Sequence, residues 1–208
     1  MQADWYFDFI SPYAYLQLTD FDRLPDSLQI RYRPILLAGL LGHWGQKGPA
    51  EIPGKRRHTY RQCQWIADRA GIPFRFPPAH PFNPLRALRL CIALGAGATV
   101  VGTIFGFIFG EGRDVQCDDA WRTLAARLGV EDADALVAQA QVKDTLRRNT
   151  EEAVRRGVFG VPTFVVGEEL FWGADATDML LDYLADPSLF SRGEMARLDS
   201  LPVGAERR

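Results

Sequence analysis

In the stretch Asp8-Phe9-Ile10-Ser11-Pro12-Tyr13-Ala14 an apolar strand pattern turns into a helical one, and a serine stands at the turn. A hydroxyl at the start of a helix has two uses. It can cap, accepting one of the unpaired backbone N–H groups while Pro12 presets φ for the first turn. It can also donate toward a ligand anion held against the positive end of the helix dipole. Taken alone, Ser11 reads as a cap; the second use needs further groups that the fold must bring to it.

Other segments carry such groups. In Gly157-Val158-Phe159-Gly160-Val161-Pro162-Thr163-Phe164-Val165-Val166 a proline opens a strand. An X-Pro bond is cis in only about 5–6% of cases, so the local sequence favours trans. A cis bond between Val161 and Pro162 would leave the N–H and C=O of Val161 to pair with an extended, peptide-like ligand. Trp172-Gly173-Ala174 leads to the start of the last helix, where backbone N–H groups form an anion site, and Asp175 beside it can take an ammonium group. Anion and cation recognition within one residue is what the α-amino-acid end of a γ-glutamyl peptide requires. Asp175 equally suits a helix N-terminus on electrostatic grounds.

The basic run Lys55-Arg56-Arg57-His58-Thr59-Tyr60-Arg61 reads mostly as a solvated helix face, with Lys55 in the first turn within reach of a carboxylate or enolate. His43, His58 and His80 show no ligand spacing, so no metal is expected. Cys63, Cys91 and Cys117 are odd in number and far apart, which argues against a disulfide framework, a CxxC pair and a cysteine zinc site. Buried thiols are expected.

The 208 residues carry a net charge of −2 and are 47% hydrophobic, ample for a sizeable core and without a basic field for nucleic acid or an anionic membrane. The N-terminus lacks a secretory pattern, so a cytoplasmic protein is expected. Leu90 to Gly110 is uncharged and long enough to span a bilayer, but Gly95 and Gly97 break it into two buried helices. Gly102, Gly106 and Gly110 fall four apart, on one helical face open to a close backbone approach. Phe105, Phe107 and Phe109 read as core, with an aromatic pocket as the alternative.

These groups need elements to hold them. Ala3–Ile10 reads as a strand, Pro12 to about Arg23 as a helix and Gln29–Leu37 as a second strand. From Gly39 to about Ala140 the signals are helical: Pro53–Ala70, Asn83–Leu94, Thr99–Phe109, Asp118–Leu128 and Asp132–Ala140. Val142–Arg156 is a further helix, Pro162–Val166 and Leu170–Trp172 a hairpin, and Asp175–Leu184 a last helix. The tail from Pro187 carries no assignable pattern. The order is that of an α/β fold, a thioredoxin-like domain (residues 1–38 and 141–208) interrupted by an inserted all-helical domain (39–140). Such folds put their chemistry at the start of the first helix, where redox members carry C-P-x-C. Here Ser11-Pro12-Tyr13-Ala14 has no sulfur, which removes a dithiol–disulfide cycle.

The segments "YFDFISPYAYL", "GKRRHTYRQCQWIADRAGIPFRFPPAHPFNPLRALRL", "EGRD", "GVFGVPTFVV" and "FWGADATDMLLDYL" resemble the 2-hydroxychromene-2-carboxylate isomerases, relatives of the kappa-class glutathione transferases in the DsbA-like thioredoxin group. The resemblance runs from about residue 4 to residue 185. It implies a glutathione-dependent isomerase that converts 2-hydroxychromene-2-carboxylate to trans-o-hydroxybenzylidenepyruvate in naphthalene-type catabolism, and a homodimer. It implies that Ser11 contacts the glutathione sulfur, that Val161, before Pro162, pairs with the cysteinyl backbone, and that Trp172, Gly173, Ala174 and Asp175 hold the γ-glutamyl end. Lys55, Asn83 and Pro84 match positions associated with substrate or glutathione. Gln46 stands where Asn is expected and Ala176 where relatives carry Arg, so the glutamyl end would be held less firmly or by another group. A kappa-like transferase or peroxidase would use the same thiolate site with a different pocket, and a silent glutathione-binding protein would use the site without chemistry.

Overall fold

A computed structural model describes residues 1–205. Strand β1 (Gln2–Phe7), buried from Ala3 onward, pairs in parallel with β2 (Gln29–Pro34). Parallel neighbours need a crossover, which α1 (Pro12–Leu18) and a 3-10 turn at Phe21–Arg23 supply. The other edge of β1 pairs antiparallel with β3 (Thr163–Val166), and β3 with β4 (Glu169–Trp172), giving the order β2-β1-β3-β4. The mixed sheet with its crossover helix is the expected thioredoxin-like arrangement.

The alternation of Arg31 and Arg33 has a partner on the neighbouring strand. Register sets Asp4 opposite Arg31 and the pleat puts Arg33 on the same face; their Nε atoms donate to Asp4 Oδ1 at 2.8 and 2.9 Å, and Arg156 donates to Oδ2 at 2.7 Å. Burial pushes the Asp4 carboxyl up, but the bonds from Arg31 and Arg33 outweigh it and hold the group below its ordinary value.

Several boundaries move inward. β1 stops at Phe7 rather than Ile10, because the Asp8 carboxylate accepts from the Ile10 N–H at 3.1 Å and the Leu37 N–H at 2.8 Å and so turns the chain. The first helix ends at Leu18, and β2 ends at Pro34 to make way for an unexpected helix α2 (Leu37–Trp44). The helical block follows as α3 (Pro53–Ala70), α4 (Leu85–Ala93), α5 (Ala98–Phe105) with a π-helical turn at Gly106–Gly110, α6 (Asp118–Arg127), α7 (Ala133–Ala138) and α8 (Ala140–Arg155). The hairpin β3 (Thr163–Val166) and β4 (Glu169–Trp172) precedes a 3-10 turn at Ala174–Ala176 and α9 (Thr177–Ala185). The unassigned tail forms α10 (Gly193–Leu198), preceded by Phe190, whose ring lies 5.3 Å from that of Tyr183.

Leu90 to Gly110 is two helices, and no helix among the described residues is long and apolar enough to cross a membrane. Phe105, Phe107 and Phe109 are core: the Phe105 ring lies 5.7 Å from Phe7 and 4.6 Å from Phe9, so the helical block and the sheet share one apolar cluster. The glycine face is a close approach only at its end. A Cβ at Gly110 would come within 3.2 Å of the Tyr15 hydroxyl, whereas at Gly102 and Gly106 it would meet nothing within 4 Å. Cys63 and Cys91 are buried, and burial pushes the Cys63 thiol up to about 12. Cys117 corrects the expectation: it precedes α6 at the surface and is exposed.

Candidate active site at the start of the first helix

Ser11 is the N-cap of α1, with Oγ accepting from the Ala14 N–H at 3.3 Å. The cap exists, but it is long for an N–H···O bond and occupies only a lone pair of the hydroxyl. Among the described residues nothing accepts the Ser11 hydroxyl proton. The residue is 6% exposed and lies on the wall of an apolar cavity of about 480 Å³. An anion in that cavity can take the proton's hydrogen bond while the cap persists.

Asn83 and Pro84 line the same cavity. A neighbouring cavity of about 620 Å³ is lined by Lys55, Pro162 and the Trp172 to Asp175 loop. The two share Tyr13, Pro49, Thr59 and Val161, so they form one trough with Val161 at the junction. The structure therefore separates Lys55 from Asn83 and Pro84, with which the sequence grouped it. Gln46 lines neither cavity; it is exposed beyond α2, where its N–H donates to the Leu41 carbonyl at 2.9 Å.

The Val161–Pro162 bond is cis. Among the described residues no hydrogen bond uses the N–H or C=O of Val161, so both remain available at the junction. The loop after β4 is held from behind. Buried Gln17 on α1 donates through Nε2 to the Gly173 carbonyl at 2.9 Å and to Thr177 Oγ1 at 3.2 Å, while its Oε1 accepts from Trp5 Nε1 at 2.7 Å. Gly173 has φ 97°, and a Cβ there would lie 2.3 Å from Asp175 Oδ1. A Cβ at Gly160 would lie 2.4 Å from the Trp172 indole nitrogen. These glycines make room for the Asp175 carboxylate and the Trp172 ring. Neither the 3-10 turn nor α9 has a side-chain cap, so Asp175 is not tied up as one.

Sequence reasoning missed most of the α3 wall. Lys55, His58, Thr59, Gln62 and Ile66 all line the cavity of about 620 Å³, at the i, i+3, i+4, i+7, i+11 spacing of one helix face. That stripe was legible within the basic run, though its direction was not; Arg56 and Arg57 are exposed, as a solvated face requires. Tyr13, one residue beyond Pro12, donates its hydroxyl to Gln62 Oε1 at 2.7 Å and joins α1 to that stripe. Asn83 accepts from the Leu85 N–H through Oδ1 at 3.0 Å, leaving its NH₂ group to face other acceptors. Asp8, also on the Ser11 cavity, is fully buried with no cation among its partners, and burial pushes its carboxyl up to about 7 against the two backbone N–H groups that lower it.

A further cavity of about 700 Å³ lies elsewhere, between α2, α4 and α8, lined by Arg89, Lys143, Leu36 and Leu85. Volume does not pick out the site; the convergence of free polar groups at Ser11 and Val161 does.

Known proteins share this fold. The family described as DSBA-like thioredoxin domain matches residues 2–185. A 2-hydroxychromene-2-carboxylate isomerase of Sphingobium xenophagum is 32% identical, with 88% of this chain and 97% of the relative covered. Glutathione S-transferase kappa 2 of Caenorhabditis elegans is 27% identical, with 88% and 91% covered. A solved structure of selenomethionine 2-hydroxychromene-2-carboxylate isomerase superposes with a TM-score of 0.78 at 26% identity, covering 96% of this chain and 98% of that one.

Proposed function

Because this chain belongs to the family of DSBA-like thioredoxin domains, we propose that it is a glutathione-dependent isomerase that converts 2-hydroxychromene-2-carboxylate to trans-o-hydroxybenzylidenepyruvate. The observation that carries the proposal is the trough itself, peptide-sized and edged by the polar side chains of Lys55, His58, Gln62 and Asp175 on one side of Val161, almost wholly apolar on the other, with an uncommitted serine hydroxyl on the apolar wall. Relatives named as isomerases at 27–32% identity make an isomerase-like enzyme the natural reading.

The residues fit glutathione. Asp175 offers an uncapped carboxylate for the ammonium, the backbone around Ala174 offers N–H groups for the α-carboxylate, and Val161 offers a free donor and acceptor for the cysteinyl peptide. Lys55 makes no ion pair among the described residues and serves a carboxylate on the same side of the trough. Bound glutathione supplies a thiolate that adds reversibly to a conjugated carbon, so that a double bond becomes a rotatable single bond. Ser11 stabilises the anionic sulfur through its hydroxyl and the α1 dipole, with no change in its own oxidation state. The apolar walls hold the aromatic ring, and the Asn83 NH₂ group hydrogen-bonds an oxygen of the substrate. Titration calorimetry with glutathione tests the first step: binding is expected, and its absence from folded protein at millimolar glutathione would remove this reading.

Asp175→Asn is expected to weaken glutathione binding by about 10- to 100-fold, since a hydrogen bond to a charged partner contributes about 1.5–3 kcal/mol. Its melting temperature should be nearly unchanged, because a helix-dipole contribution is about 0.3–1 kcal/mol. A lower melting temperature at constant affinity would return Asp175 to a structural role. Asn83→Ala is expected to lower kcat/KM for isomerisation about tenfold, or roughly 1.4 kcal/mol, at constant glutathione affinity. The kappa-class relative favours a second reading, glutathione transfer. Strong conjugation of 1-chloro-2,4-dinitrobenzene without isomerisation would establish that reading, and neither activity would leave a glutathione-binding protein.

A further inference from the structure

His80 lies outside every group used so far, although it lines the apolar cavity with Ser11 and Asn83. Its Nε2 is 2.7 Å from the Ile10 carbonyl oxygen, and its Nδ1 is 2.8 Å from the Tyr60 hydroxyl. A carbonyl only accepts, so Nε2 carries the ring proton. In the neutral ring Nδ1 is then an acceptor, and the single Tyr60 hydroxyl proton is shared between it and the His80 carbonyl oxygen, 2.6 Å away, so Tyr60 holds both the ring and the backbone of His80. The ring packs among Phe76, Phe82 and Phe109, and burial lowers its pKa, which keeps this neutral tautomer. Both nitrogens are engaged, so the ring is not a free base.

The engaged carbonyl belongs to the residue immediately before Ser11. Ser11 is otherwise placed by its N–H on the Asp8 carbonyl at 3.0 Å, by its own carbonyl, which accepts from the Ala14 and Tyr15 N–H groups at 3.1 and 3.4 Å, and by the cap at 3.3 Å. The Ile10–Ser11 peptide is thus fixed on one side by the Asp8 turn that follows β1 and on the other by a side chain from the segment between α3 and α4, itself held by Tyr60 on α3. We infer that His80, held by Tyr60, is a positioning residue for Ser11 that fixes the Ile10 carbonyl and so ties the Ser11 hydroxyl to the wall of the cavity it serves. The proton on Nε2 does this work. A side chain with an N–H at similar reach should substitute for it, and an apolar one of similar size should not.

This inference rests on the proposed use of Ser11 to hold a glutathione thiolate, and the test keeps the two apart. His80→Leu, His80→Gln and Tyr60→Phe are compared with the unaltered protein by calorimetry with glutathione, by ultraviolet titration of the bound thiolate and by steady-state kinetics. In His80→Leu, glutathione affinity is expected to hold within about twofold. The pKa of the bound thiol should rise by about one unit and kcat should fall about tenfold. His80→Gln should restore most of both, and Tyr60→Phe should shift them in the same direction by less. A merely structural histidine would lower the melting temperature and leave the thiol pKa in place, and that result overturns the inference. Should His80→Leu fail to fold, an unshifted thiol pKa in Tyr60→Phe overturns it. If the unaltered protein binds no glutathione, the functional reading falls and the ¹H–¹⁵N resonance of Ser11 decides: displacement in Tyr60→Phe and His80→Leu with return in His80→Gln supports the clamp, and an unmoved resonance refutes it.

Discussion

Replacing Ser11 by alanine is expected to lower kcat for isomerisation by about 10²- to 10³-fold, the cost of removing one preorganised donor from an anion-stabilising site. The fold should survive. The cap that Ser11 makes is long, and losing a serine cap costs about 1 kcal/mol. Glutathione should still bind, because the groups expected to hold its backbone and glutamyl end, Val161 at the junction and Asp175 beyond it, are left intact. What should disappear is the thiolate: its ultraviolet absorbance at neutral pH should fall to that of free glutathione, whose thiol, at a pKa of about 8.5, is mostly protonated. Retained turnover with a modestly lower melting temperature would make Ser11 a cap and nothing more.

The second large effect concerns stability rather than turnover. Asp8 is buried without a cation, and its carboxyl is pushed up to about 7 from an ordinary value of 3.8. The folded protein therefore holds this proton more tightly than the unfolded chain, so the contribution is full below about pH 4 and is lost as pH rises through about 7. With roughly 1.36 kcal/mol per unit, the loss is on the order of 4 kcal/mol by pH 8. Asp4 acts in the opposite sense: its lowered value contributes stability above its unfolded value that is lost as pH falls. Subtracting urea-unfolding free energies of Asp8→Asn from those of the unaltered protein removes the Asp4 term, which both share. The difference should favour the unaltered protein at pH 5 relative to pH 8 by a few kcal/mol. A difference independent of pH would mean that water or a counter-charge reaches Asp8.

The trough explains why residues with bland individual meanings gain a joint one. Ser11, Val161 and Asp175 are respectively a cap, a residue before a strand-opening proline and an acid beside a helix start. In the fold, the hydroxyl proton of the first, both backbone groups of the second and the carboxylate of the third are without partners among the described residues. A folded chain leaves few buried or half-buried polar groups unsatisfied, so buried Ser11 and half-buried Val161 at one trough point to a ligand that completes them, and the exposed Asp175 carboxylate stands ready for a cation beside them.

How much of this was legible without coordinates differs residue by residue. The Ser11 junction, the helical block, the hairpin and the loop from Trp172 to Asp175 follow from local signals: apolar period, Pro-opened turns and a Gly that permits φ 97°. α2 was missed because Leu37 to Trp44 is apolar nearly throughout, with no polar face to mark a helical period. α10 lies in a polar tail whose pattern marks no buried face.

By itself the sequence determined which groups most segments carry, including the absence of sulfur at positions 11 and 14 and a lysine, Lys55, in the first turn of a helix. Tertiary structure decided what those groups face. It placed Lys55 with the Trp172 to Asp175 loop, away from Asn83; left Gln46 outside both cavities; buried Asp8 with no counter-charge among the described residues; and brought His80 onto the carbonyl before Ser11. The physical reason is that backbone period and turn chemistry are set within a few residues. A cavity, by contrast, exists where separate elements stop short of one another, and its shape and charge depend on packing between segments that are distant along the chain.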